Sequence, residues 1–203
     1  WVVKKNSKSV FYQDKIKGKY FEKKLKGNAQ NIKDLAIDAS NNVYLAAGDI
    51  YKWDKSKKIF KIYYKKNGPF LKISSGPTGT LWVINNNGKL YELIGGKLIK
   101  RPGNRDFTAN DVDISVNGEV YVTSEVLTIT STIRERGQPP RLTTQVLKCF
   151  LYKYNASKNT IEHAFDANDI FSEIVTVSRE GSPWYTSPEC QNKNVFFVLE
   201  IIL

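Results

Sequence analysis

The sequence predicts an all-β fold: a β-propeller of about five four-stranded blades, or six with part of the ring outside the chain, carrying one long protruding hairpin. Three observations predict it. Helix signals are nearly absent, while apolar residues alternate with period two over short stretches. Gly, Asn, Asp and Pro recur between those stretches, as turns between strands require. Aligning one aromatic then reveals an internal repeat, with Trp1, Tyr44, Trp82, Tyr121 and Trp184 separated by 43, 38, 39 and 63 residues. A four-stranded sheet recurring at about 40 residues cannot cover both its own faces, so its copies stack around an axis.

The elements follow in order. Trp1-Val2-Val3, Val10-Phe11-Tyr12 and Tyr20-Phe21 copy strands two to four of a unit whose first strand is missing. The next unit runs Leu35-Ala36-Ile37, a turn at Asn41-Asn42, Val43-Tyr44-Leu45 and Ile50-Tyr51-Lys52-Trp53. A third has Ile73-Ser74, a turn at Pro77-Thr78-Gly79, Leu81-Trp82-Val83-Ile84, Leu90-Tyr91-Glu92-Leu93 and Lys97-Leu98-Ile99. A fourth has Val112-Asp113-Ile114, Val120-Tyr121-Val122 and Leu151-Tyr152-Lys153-Tyr154, and its Asn117-Gly118 is the strongest two-residue hairpin signal in the chain. Val175-Thr176-Val177 and Pro183-Trp184-Tyr185 open a fifth. The longest apolar run, 195–203, is broken by Glu200 and reads as a strand, far short of the roughly 18 residues of a membrane span.

The sequence has 203 residues, 41% hydrophobic and 25% charged, which suits one globular domain spanning 1–203 and excludes collagen-like or low-complexity classes. Two cysteines exclude a disulfide scaffold, and the absence of Met even at position 1 implies a processed or excised piece, cut short at either end. The net charge of +11 is uneven: residues 1–100 hold 21 Lys and 7 acidic residues, whereas 101–203 hold 10 basic and 13 acidic. A Lys-rich half attracts anionic partners, or is simply a solvated face, with pairs such as Lys23–Lys24 and Lys57–Lys58 in turns. Nucleic-acid readers favour Arg, and every basic residue of the first half is Lys, which weakens a nucleic-acid partner.

The pattern of an apolar-x-apolar strand, a Gly or Asn turn, an aromatic between aliphatics and then Asn-Gly-Lys-Leu-Tyr resembles tectonin-type β-propellers, the repeat of certain lectins and scaffold proteins. Residues 71–98 carry it most fully, with Leu81-Trp82-Val83-Ile84-Asn85 followed by Gly88-Lys89-Leu90-Tyr91. The resemblance implies a propeller that binds protein or carbohydrate. Two departures stand out. The Trp that often opens a tectonin repeat is missing from several units. Without the roughly 24 extra residues of the last gap, about 179 of 203 remain, short of five units of 39, whereas such propellers commonly have six blades.

The chemistry-bearing residues are few. The one His, His163, beside Glu162, reads as a surface residue, and the usual Ser-His-Asp and Cys-His routes would all depend on it. No zinc-ligand spacing, P-loop or dinucleotide fingerprint occurs, so no catalytic residue, cofactor or metal is assigned and the chain is read as a non-enzyme. Asp111 and Asp113 form an Asp-x-Asp, but Asp34 shares Asp111's repeat position, and a recurring carboxylate suits backbone donors better than catalysis. Tyr44, Trp82, Tyr121 and Trp184 read as inter-blade core rather than sugar platforms, and Trp53, ending its strand, as partly exposed.

The inserted hairpin, 125–148, is the main irregularity. Residues 126–133 and 142–147 are β-branched and alternating, and the segment between them holds Arg134, Arg136 and Arg141 with Gly and Pro. Eight extra residues extend roughly 26 Å at about 3.3 Å each. Such a protrusion carries apolar rows that need covering. A neighbouring protein with an acidic surface, gripped by Arg134, Arg136 and Arg141, would cover them, the bland alternative being a solvated loop. Cys149 and Cys190 fall in adjacent blades and are candidates for a disulfide, and Asn155-Ala156-Ser157 is an N-glycosylation sequon in an apparent turn. The leading expectation is a recognition or scaffold module binding a protein partner in a larger assembly; the alternative is a secreted or surface lectin with a glycan ligand. The compartment stays open between the cell surface or exterior and a cytoskeletal assembly.

Overall fold

The structure is a computed structural model describing residues 1–4, 7–13, 18–65, 68–101, 107–124, 127–133, 141–148, 151–164, 174–177 and 183–186, with the backbone alone described at 127–133, 141–148, His163, 174–177 and 183–186. Nineteen strands and no helix occur among them. Blade one holds β1 (Val2–Val3), β2 (Ser9–Gln13) and β3 (Tyr20–Lys24) in the order β1-β2-β3. Blade two is the four-stranded meander β4 (Asp34–Ile37), β5 (Val43–Ala47), β6 (Asp49–Asp54) and β7 (Ile59–Tyr64). Blade three repeats it with β8 (Phe70–Ser75), β9 (Leu81–Asn85), β10 (Leu90–Ile94) and β11 (Lys97–Lys100).

Blade four begins with β12 (Ala109–Ile114) and β13 (Val120–Ser124). Then comes the hairpin, β14 (Leu127–Ile133) and β15 (Arg141–Lys148), whose strands pair with each other as a separate two-stranded sheet. The blade resumes with β16 (Leu151–Asn155), paired to β13, and β17 (Thr160–His163). The described part of blade five is β18 (Ile174–Val177) with β19 (Pro183–Thr186). First strands pack in succession, β4 on β8, β8 on β12 and β12 on β18, so the molecule is a β-propeller whose innermost strands are the first of each blade.

The packing explains why the second strands β5, β9 and β13 are buried along their whole length. In β5, Tyr44 and Ala46 join the cluster shared with blade three, and Leu45 and Ala47 join the one shared with blade one. In β9, Leu81 and Val83 face blade two while Trp82 and Ile84 face blade four. In β13, Val120 and Val122 face blade three, and Tyr121 packs with Leu151 on the other side. The period-two alternation of a strand thus feeds two different cores, one on each side of the blade. The aligned aromatics Tyr44, Trp82 and Tyr121 all take the same side and are nearly fully buried, as expected. Trp82 reaches Tyr154 of the next blade with ring centroids 4.8 Å apart.

The turns between first and second strands are built alike. Asp38 N–H donates to Asn42 O, Gly76 N–H to Thr80 O, and Ser115 N–H to Glu119 O, and in each a second bond returns from the residue with positive φ. Those residues are Asn41 (φ 57°), Gly79 (78°) and Gly118 (81°). Asn117-Gly118 is therefore not the tight two-residue turn that the sequence suggests. A primed type I turn needs positive φ at both residues, and here Gly118 alone has it, inside a longer connection. Lys23 and Lys24 also differ from expectation, since they end β3 rather than occupy a turn.

Candidate functional site

Residues standing ten before the aligned aromatics Tyr44, Trp82 and Tyr121 are Asp34, Lys72 and Asp111, so one position of three consecutive innermost strands reads acid, base, acid. Lys72 Nζ lies 3.0 Å from Asp111 Oδ1, tying blade three to blade four. Asp34 accepts the N–H of Leu35 and, across the blade junction, the N–H of Ile73, both at 2.9 Å. Burial pushes the Asp34 carboxyl up to about 6, against these hydrogen bonds and the nearby Lys72 charge. Two residues further on, Ser74 Oγ donates to Asp113 Oδ1 at 2.6 Å. The expectation that recurring carboxylates serve backbone donors describes Asp34, whose second donor comes from the neighbouring blade, whereas Asp111 serves a lysine at its own repeat position.

Both β8 and β12 carry a bulge just before this position, at Leu71 and at Asn110. A bulge re-aims the residues beside it. Leu71, Lys72 and Asn110 line a cleft of about 390 Å³ together with Ile84, Thr108, Ala109 and the turn Asn85–Gly88. The turn is stiff because Asn85 Oδ1 accepts the N–H groups of Asn87 and Lys89 at 3.1 and 2.9 Å. Gly88 has φ +64°, and a Cβ there would stand 2.1 Å from the Thr108 methyl, so the wall closes only over glycine. The cleft offers amides, a hydroxyl and an ammonium, which are groups for hydrogen bonding. Among the described residues no group of three or more His, Cys, Asp or Glu is placed to hold a metal ion.

A second surface lies at the junction of blades one and two. Trp1 stacks on Tyr12 at 4.9 Å and meets Trp53 and Phe60 edge-on at 5.2 and 5.8 Å. Tyr12 continues to Phe21 at 5.4 Å, and Trp53 to Phe60 at 5.0 Å. Lys23 Nζ sits 5.9 and 6.0 Å from the Tyr12 and Trp53 ring centres. Trp53 is half-buried, in line with the sequence reading, and Phe21 is 46% exposed.

Of the residues singled out from sequence, Arg134, Arg136, Cys149 and Cys190 lie outside the described residues. Arg141 opens β15 opposite Ile133, at the end of the hairpin pairing nearest its tip. His163 lies in β17 opposite Tyr152. Asn155 is a turn cap: its Oδ1 accepts from Ser157 Oγ and Lys158 N–H at 2.8 and 3.2 Å. Asp54 of blade two does the same, accepting from Ser56 Oγ and Lys57 N–H at 2.7 and 3.0 Å. Asn-x-Ser here is the repeat's own turn, with Asn in place of Asp. The axial lysine and the two bulges escaped the sequence reading, although the shared spacing from the aromatics marks Lys72.

No protein-family model and no curated protein sequence matches the chain. Solved structures do. Streptogramin B lyase is similar with a TM-score of 0.53 and 13% identity, covering 88% of this chain and 69% of its own. TolB from Acinetobacter baumannii gives 0.58 and 15%, covering 87% of this chain and 42% of its own. The tricorn protease gives 0.54 and 12%, covering 86% of this chain and 16% of its own. The chain thus spans less than half the length of the latter two. Streptogramin B lyase and TolB are β-propellers, and at such identities the likeness speaks to the fold alone.

Proposed function

We propose that the chain is a non-enzymatic recognition module, a tectonin-like propeller that binds a protein partner with an acidic surface in a larger assembly. The observation carrying this reading is the β14–β15 hairpin, which leaves blade four between its second and third strands and pairs within itself. What recurs around the ring is consumed between blades, so an unrepeated, self-paired arm is the part free to meet another molecule. Its sequence adds Arg134, Arg136 and Arg141 near the tip, donors suited to carboxylates. A glycan reading is less favoured because the aromatics that recur with the repeat, Tyr44, Trp82 and Tyr121, are buried between blades rather than available to sugar rings.

The test is to pan a displayed random-peptide library, and in parallel a glycan array, with the full chain and with a variant lacking 130–143. The reading expects acidic peptides that bind the full chain and lose about tenfold or more in affinity with the hairpin removed. Enriched peptides indifferent to the deletion in a folded variant, or glycan ligands without peptide ligands, would overturn it.

A further inference from the structure

We infer that the aromatic ladder between blades one and two is a separate docking surface for an extended acidic peptide segment carrying large apolar side chains. The inference rests on the recognition reading above and gives the partner a second point of attachment, away from the hairpin. Five aromatic rings, Phe60, Trp53, Trp1, Tyr12 and Phe21, run in contact across the junction from β7 to β3. At the next junction the corresponding place is closed, because Tyr44 and Leu93 are both buried in the shared core. Here the ladder instead reaches solvent, with Trp1, Tyr12, Trp53 and Phe60 half-buried and Phe21 exposed. Half-buried Trp and Tyr held rigid by one another are the side chains that dominate binding energy at interfaces.

Charge selects the occupant. Residues 1–64 hold fifteen lysines against six acidic residues, a net of +9, and no arginine. Lys23 spends its ammonium on the faces of Tyr12 and Trp53, at the centre of the ladder, where an incoming carboxylate would complete its neutralisation. Compact ammonium groups without the planar fork of arginine favour carboxylates over nucleobases. The backbone selects an extended peptide: β3 is the outer strand of its sheet, so its outward N–H and C=O groups face no further strand among the described residues. An added strand would bond that edge while its alternate side chains lie on Phe21, Tyr12 and Trp53.

The experiment uses the full chain and a fluorescein-labelled ten-residue peptide alternating Glu with Leu and Phe, read by anisotropy. Two control peptides replace Glu by Lys, or Leu and Phe by Ser. Binding of the Glu/Leu/Phe peptide is expected, with both controls at least about tenfold weaker, and with Phe21→Ala and Lys23→Glu each costing about tenfold. Phe21 is the exposed end of the ladder and Lys23 sits over its centre, itself only half-buried; far-UV circular dichroism checks each variant, and if one is misfolded, the other decides. The chain lacking 130–143 is expected to bind this peptide as the full chain does. Equal binding by both variants, equal binding of the Ser control, or complete competition by a single-stranded oligonucleotide would overturn the inference. Absence of any peptide binding, with the library still yielding hairpin-dependent ligands, removes this surface and leaves the recognition reading standing.

Discussion

Asp34 offers the sharpest quantitative test of the axial arrangement. Its carboxyl rises from the ordinary 3.8 to about 6 in the folded chain, chiefly through burial. Ionising it therefore costs more in the folded than in the unfolded state. A shift of about 2 units at 1.36 kcal/mol per unit amounts to roughly 3 kcal/mol. Because the folded value is raised, the favourable contribution is fully present below pH 3.8 and disappears as pH rises through about 6. Asp34→Asn removes the titration. It also sets the new amide NH2 against one of the two N–H donors, from Leu35 or Ile73, which loses its acceptor, but that penalty does not vary with pH. Urea unfolding followed by tryptophan fluorescence at several pH values between 3.5 and 7.5 gives the comparison. The native chain is expected to gain about 3 kcal/mol on the variant as pH falls across that window. Other carboxyls held below their ordinary range, such as Asp38, Glu119 and Glu162, pull both curves down together, so only the difference counts. Parallel curves for the two proteins would refute the placement of Asp34 in a buried junction.

Three further outcomes follow from single contacts. Trp82→Ala empties the junction between blades three and four, where the ring meets Tyr154, and is expected to cost about 3–5 kcal/mol in denaturant unfolding. Gly88→Ala forces a side chain into positive φ and onto the Thr108 methyl, costing upward of about 1 kcal/mol, and Thr108→Ser in the same chain should recover part of it in thermal melts. Blade two pairs Asp54 with Lys61 at 2.5 Å, whereas blade four pairs Asn155 with Glu162 at 3.2 Å at the same two positions. Asn155→Asp should destabilise by setting two carboxylates side by side, and adding Glu162→Lys should restore the loss in a double-mutant cycle.

The strands and the ring were readable because each depends on local rules. A second strand buried on both faces reads as a nearly continuous apolar run, as Leu81-Trp82-Val83-Ile84 does. The aromatic at its second residue marks the register because that side chain always faces the next blade. The bulges at Leu71 and Asn110 had no such signal, since nothing in Phe70-Leu71-Lys72 separates a bulged strand from a regular one. The cleft that the bulges shape was hidden for the same reason. Asn117-Gly118 misled because the dipeptide favours a two-residue turn locally, while the strand ends at Ile114 and Val120 set a longer connection. The sequon was ambiguous in sequence and gains its meaning only beside Asp54-Lys55-Ser56, where the same turn needs the same serine hydroxyl.

The alternation within second strands also constrains where recognition can sit. Residues 44–47 of β5 and 81–84 of β9 each belong to one junction or the other, so exposing any of them to a ligand opens a core between blades. Third and fourth strands are not so committed: β7 keeps Ile59, Ile62 and Tyr63 exposed, and β3 keeps Tyr20 and Phe21 exposed. Four of the five ladder rings come from such strands, Tyr12 and Trp53 from third strands and Phe21 and Phe60 from fourth. Trp1 stands where second-strand aromatics stand elsewhere, yet it is only half-buried. It is therefore the point at which inter-blade core becomes surface, and replacing it should disturb both packing and docking, whereas Phe21→Ala should disturb docking alone.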